Sequence, residues 1–162
     1  MNIFVLDLDP VIAAKSQNDK HCVKMVLETA QLLSSTIHIL NPNSSIKDKI
    51  YKPTHKNHPA TIWTRESLGN FNWLIKHGLA LSDTYQARYN KIHKSREIIL
   101  RCQAHTPNFT KIEKTPHVYC GPECYRTQDI VQSYRNYYIG DKAKFSTWKL
   151  PHEPPSWFIL NK

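Results

Sequence analysis

The chain has 162 residues, with 22 Lys+Arg against 13 Asp+Glu, a formal net charge of +9, and nine histidines that add charge in mild acid. That length suits one domain with a real core, and the positive balance favours a polyanionic partner, most simply nucleic acid. No stretch approaches the roughly 20 apolar residues of a membrane span. The opening Met1–Asp7 lacks the basic lead of a secretory signal, so the expectation is a cytoplasmic monomer with reduced cysteines and no membrane partner.

Along the chain, Ile3-Phe4-Val5-Leu6 is a short apolar run. Asp9-Pro10 has the form of an N-cap followed by Pro at the first helical position, with a helix to about Ser16. Asn18 or Asp19 caps a long helix to about Ile39, and Asn41-Pro42-Asn43-Ser44-Ser45 ends it as a turn. A basic connector from Lys47 to Lys56 leads into His58-Pro59. Residues 60 to 90 carry a helical pattern in which Gly69 and Gly78 mark breaks or close-packing points. Another helix fits His93 to Ala104, residues 106 to 126 are irregular, and Thr127 or Asp129 opens a last helix to about Phe145. The Pro- and Trp-rich tail, Leu150 to Phe158, lies across the body without regular structure. The expected fold is mostly α: a single compact helical domain over residues 1–162, with long irregular loops and an extended C-terminal tail.

Three polar clusters carry the functional signal. On the long helix, Lys20, His21, Lys24, Glu28, Gln31 and Ser35 share a sector of roughly 100°. Cys22, Val23, Val26, Leu27, Ala30, Leu33 and Ile37 occupy the other side. Cations leading into a lone carboxylate suit a helix lining an anion-binding cleft; the plainer alternative is a solvated face with a Lys24–Glu28 pair. The second cluster is Thr54-His55-Lys56-Asn57-His58-Pro59, followed by Trp63 and Arg65. It gathers donors before a helix N-terminus, where backbone N–H groups also favour anions. The third, Tyr134-Arg135-Asn136-Tyr137-Tyr138-Ile139-Gly140-Asp141-Lys142, interleaves rings that stack on bases with cations that bind phosphates. Some of those tyrosines are expected to be packing residues. Cys102, His105, His117, Cys120 and Cys124 can be written as a zinc set, but their spacing is irregular, and neither a metal nor another cofactor is called for.

Asp19-Lys20-His21 followed by Glu28 resembles the Asp-x-His…Glu pattern on the first long helix of the phage pyrimidine-dimer DNA glycosylases called endonuclease V. The third cluster is similar to that family's aromatic and basic DNA-contacting segment. Asn57-His58-Pro59-Ala60…Trp63 resembles the Asn-His-Pro…Trp motif of bacterial dimer-glycosylase-like proteins, where a helix and an Arg-aromatic ending such as Arg88-Tyr89 follow. The overall pattern, with Ser133-Tyr134-Arg135 and Pro155-x-Trp157-Phe158, most resembles small phage proteins, which implies a host cytoplasm as the setting.

The resemblance implies a DNA glycosylase acting on a damaged or modified pyrimidine, with Glu28 as the catalytic carboxylate, His21 as a second catalytic residue, and the Lys and His side chains of this helix holding the phosphate backbone of the substrate. Lys20, Lys24, His55, Asn57, His58, Trp63, Arg65, Arg135, Tyr137, Tyr138 and Lys142 are then the nucleic-acid-binding set. The family's nucleophile is the amine of an N-terminal Thr. Here the chain opens Met1-Asn2, so the Met1 α-amine is the group that stands in for it, or water attacks the sugar directly. The alternative is a non-catalytic phage protein that binds nucleic acid or sequesters a nucleotide in the same cleft.

Overall fold

The computed structural model describes residues 1–159; the last three positions of the expected 1–162 domain lie outside the described residues. Among these residues there are seven α-helices and no strand, so the fold is mostly α as expected. The helices are α1 (Pro10–Ser16), α2 (Asp19–Leu40), α3 (Pro59–Glu66), α4 (Leu68–Tyr89), α5 (Ser95–Ala104), α6 (Ile130–Tyr137) and α7 (Ser156–Ile159).

Local chemistry sets the ends. The Asp9 carboxylate accepts from the N–H groups of Val11 and Ile12, and Pro10 occupies the first turn of α1. Asn18 Oδ1 accepts from His21 N–H and starts α2. Ser67 caps α4 through Asn70 N–H, so the helical pattern of 60 to 90 breaks at Ser67. Gly69 and Gly78 lie within α4 and are close-packing points. A Cβ at Gly78 would stand 2.5 Å from Thr29 Cγ2, and one at Gly69 would collide with the Lys114 backbone.

The last expected helix is shorter than its pattern. It leaves α geometry after Tyr137 and continues as a wide π turn, Tyr138–Lys142, and a 3₁₀ turn, Ala143–Phe145. Tertiary contacts cause this. Tyr138 is buried on His21, while Gly140 lies against the Tyr125 ring, whose hydroxyl donates to Asp141 Oδ1 at 2.7 Å. The tail also gains the short α7, with Phe158 buried.

α2 is the central helix, packed against α3, α4 and α5, while α1 lies on α4. Val26, Ala30, Leu33, Ile37, Phe71, Leu74, Leu81 and Ile99 are fully buried between them, together with Val5 and Leu6 of the amino-terminal segment. Val23 and Leu27, expected inside, are instead exposed. The solvent-facing strip of α2 runs through Lys20, Val23, Lys24 and Leu27. Glu28 and His21 therefore fall on its flank, covered by other parts of the chain.

The C-terminal segment is tied back by a buried ion pair. Arg88 Nη1 of α4 lies 3.1 Å from Asp19 Oδ1, and the guanidinium also donates to the carbonyls of Gln17 and Lys15. Asp19 additionally accepts from Lys149 N–H and the Thr147 hydroxyl, and its own N–H donates to the Thr147 carbonyl. Removing Asp19 leaves the Arg88 charge buried without an anion. The Asp19→Ala variant is expected to lose about 3–5 kcal/mol in urea unfolding. Asp83→Ala, which breaks the exposed pair with Arg96, is expected to lose under about 1 kcal/mol. Equal losses in the two variants would show that the buried pair has no special role.

Candidate functional site

Glu28 sits where α2 passes beneath the amino-terminal segment. Its Oε2 accepts from Asn2 N–H at 3.0 Å, and its Oε1 pairs with Lys24 Nζ at 3.2 Å. The carboxylate is almost buried while Lys24 remains mostly exposed, so the pair is a screened lysine laid over an enclosed acid. Both line a polar cavity of about 280 Å³ with Met1, Asn2, Phe4, His21, Met25, Cys120, Tyr137 and Lys142. The cavity thus joins α2, the amino terminus, the loop before α6, and the end of α6 with its π turn.

The amino-terminal segment is held in an unusual shape. Phe4 has φ 57°, a left-handed conformation that is costly for a bulky residue and persists only when neighbours enforce it. Its ring stacks on His21 at 4.1 Å and lies edge-on to Tyr134 and Tyr138. From α6, Tyr134 Oη donates to Asn2 Oδ1 and Arg135 Nε donates to the Leu6 carbonyl.

His21 is buried, and its Nδ1 is hydrogen-bonded to the Tyr138 hydroxyl at 2.5 Å. Burial, reinforced by the positive charges of Lys142 and Lys24, lowers its pKa to about 3. Burial also raises Tyr138 well above the ordinary tyrosine range. Both groups are neutral at physiological pH, so His21 is a hydrogen-bonding wall of the cavity and not the cation expected to hold a phosphate.

His58 caps α3, its Nδ1 accepting from Ala60 N–H at 3.1 Å. Its pKa is lowered by partial burial and then by the positive charges of the amino terminus and His55, with Glu28 opposing. His58 therefore belongs electrostatically to the cavity's border. The preceding loop is pinned to α2, where Thr54 N–H donates to Ser35 Oγ and Ser35 Oγ donates to the Thr54 carbonyl. His55, at φ 48°, and Asn57 are exposed there.

Several expected contact residues are placed otherwise. Trp63 is 1 % exposed, stacked on His117 inside the core, and has no face for a base. Tyr138 is fully buried. Arg135 is engaged by Leu6 and Asp7 and lies over Trp157, so it fastens α6 to the amino-terminal segment. Arg65 donates to the Lys56 carbonyl at 2.5 Å and holds the loop in place. Lys20 is exposed, 4.7 Å over the Phe145 ring, outside the cavity lining. Tyr137 and Lys142 do line it, with Lys142 Nζ 4.4 Å over the Tyr137 ring and Tyr125 stacked on Tyr137.

The sequence reading missed Asn2, Phe4, Met25 and Cys120 as cavity residues. Only the polar Asn2 at the head of an apolar run gave any signal. The five-residue zinc set is dispersed. Cys102 is buried beside Ser34, His117 is packed on Trp63, Cys120 lines the cavity, and His105 and Cys124 are exposed. No group of three His, Cys, Asp or Glu side chains suited to a metal occurs among the described residues. No family model, curated protein or solved structure matches the chain.

Three imidazoles give the fold a pH dependence. Burial lowers His77 to about 4 and His117, with help from Lys114 and His77, to about 3, alongside His21. Between pH 6.5 and these values the unfolded chain takes up protons that the folded chain refuses. This stability is complete above about pH 6.5 and is lost as pH falls towards 4, by up to about 1.4 kcal/mol per pH unit for each histidine. Denaturant melts at pH 7, 5.5 and 4.5 should follow that trend, with the three ring resonances unchanged by NMR from pH 8 to 5. Rings that titrate near 6.5 would mean they are open to water.

Proposed function

We propose that the protein is a DNA glycosylase that removes a damaged or modified pyrimidine, with Glu28 as its catalytic carboxylate. The observation that carries this reading is the Glu28 side chain itself. It is nearly buried, held at both oxygens, and set in a cavity that also contains Lys24, Lys142 and the amino terminus. A carboxylate in a cationic cavity weakens phosphate binding, so ligand binding alone gives no reason for it. It does stabilise positive charge that develops during a reaction, and such preorganised electrostatics are commonly the largest catalytic contribution.

In the proposed reaction a target nucleotide leaves the stack and its sugar enters the cavity. The C1′–N1 bond breaks, its electron pair leaves with the base, and the sugar acquires oxocarbenium character facing Glu28. A nucleophile then forms the new bond at C1′ and gives up a proton, which the departing base takes. Water serves this role directly. The Met1 amine, on the same cavity, is the other candidate; it leads to ring opening and an imine that borohydride reduces to a stable adduct. Lys24 and Lys142 bind the flanking phosphates, with the Lys142 ammonium laid over the Tyr137 ring at the cavity wall.

The test is incubation with ultraviolet-irradiated and modified-base DNA, with and without borohydride. Wild-type protein is expected to release a base, and Glu28→Gln to lose about 10²–10³-fold of that rate while still binding DNA. Lys142→Ala is expected to lower the salt slope of binding by about 0.9. A trapped adduct mapped to the first peptide identifies the amine as nucleophile; base release without trapping identifies water. If wild type releases nothing and Glu28→Gln simply binds DNA or a nucleotide more tightly, the protein is a binder and the enzymatic reading is wrong.

A further inference from the structure

We infer that Asn2 is a positioning residue for Glu28: its side chain locks the amino-terminal backbone so that the Asn2 N–H holds the carboxylate in place. The inference rests on the reading of Glu28 as the catalytic group. Every polar atom of the Asn2 side chain is engaged. Oδ1 accepts from the Tyr134 hydroxyl at 2.8 Å, Ile3 N–H at 2.8 Å and Phe4 N–H at 3.3 Å, while Nδ2 donates to the Cys120 carbonyl at 2.8 Å. The side chain therefore joins three separate parts of the chain: the segment leading to α1, the loop before α6, and α6 itself.

The backbone N–H of the same residue is the donor to Glu28 Oε2. It can hold the carboxylate only while the segment stays in its present path, which includes the left-handed turn at Phe4. The Asn2 amide oxygen accepts the Phe4 N–H and so helps to enforce that turn. Lys24, the other partner of Glu28, is a long and mostly exposed side chain that cannot fix direction alone. Alanine at position 2 retains the backbone N–H but loses every bond that orients it. Serine retains a short oxygen that can accept a nearby backbone N–H, as Ser and Asn both do in local turns.

The experiment compares wild type, Asn2→Ala, Asn2→Ser and Tyr134→Phe, all prepared by semisynthesis so that Met1 is retained ahead of the small residues at position 2, by two readouts. The first is the backbone amide of residue 2 by NMR. In wild type its proton should lie downfield and move upfield in Glu28→Gln. In Asn2→Ala it should move upfield and exchange at least about tenfold faster, with Asn2→Ser between the two. The second is steady-state base release with DNA in excess. Asn2→Ala should lose about tenfold or more in kcat with KM within about twofold, and Asn2→Ser should recover part of the loss. Tyr134→Phe, which removes one bond to Oδ1, covers the case in which Asn2→Ala does not fold, and should shift the amide in the same direction. An amide unchanged in Asn2→Ala, or in Tyr134→Phe should Asn2→Ala not fold, overturns the inference. A loss seen in KM alone also overturns it. Absence of base release in wild type sinks the glycosylase reading instead, and the amide readout still decides whether Asn2 orients Glu28.

Discussion

The buried pair between Asp19 and Arg88 is the constraint on which the rest of the arrangement depends. A guanidinium with a fully buried side chain is tolerable only with an anion and carbonyl oxygens around it. Asp19 and the carbonyls of Lys15 and Gln17 supply them, which brings the end of α1, the start of α2 and the last turn of α4 to one point. The remaining oxygen capacity of Asp19 binds Thr147 and Lys149, so the chain after α6 is anchored there too. Trp148 adds a bond to the Ser16 carbonyl, and Asn18 adds one to the Ser146 hydroxyl. The π turn between α6 and this anchor is then pressed onto the first turns of α2, where Tyr138 meets His21.

The cavity around Glu28 follows from that closure. α6 carries Tyr134 and Arg135 to the amino-terminal segment, and the π turn brings Lys142 over Tyr137. The amino-terminal segment is thereby pressed onto the flank of α2, and Glu28 is enclosed. In this arrangement the aromatic and basic segment divides its work. Tyr134, Arg135 and Tyr138 hold the structure together, while Tyr137 and Lys142 remain at the cavity. Adjacent residues on a helix or a wide turn point in different directions, so a cluster in sequence need not be a cluster in space.

The helices were legible because their signals are local. Asp9-Pro10 and Asn18 act through hydrogen bonds to N–H groups two or three residues away, which the sequence displays directly, whereas the Ser67 cap that divides residues 60 to 90 was not read from it. The early end of α6 was not legible, because its causes are Tyr125 and His21, distant along the chain. The helical phase of α2 identified Glu28, Lys24 and His21 as neighbours. It misjudged which strip met water, since periodicity reports relative direction and not what packs against each side. Trp63 shows the same limit: its place in a motif suggested contact with nucleic acid, and its place in the structure is the core.

Sequence by itself therefore determined the helical class, most helix starts, the positive charge, and the grouping of Lys24, Glu28 and His21 on one side of α2. These are properties of composition and of spacing at 3.6 residues per turn. Tertiary structure alone decided that His21 is neutral, that Arg135 and Tyr138 are structural, and that Asn2, Phe4 and Cys120 border the same cavity as Glu28. Charge state depends on burial, and burial depends on segments more than a hundred residues apart closing on one another. No local pattern encodes that distance.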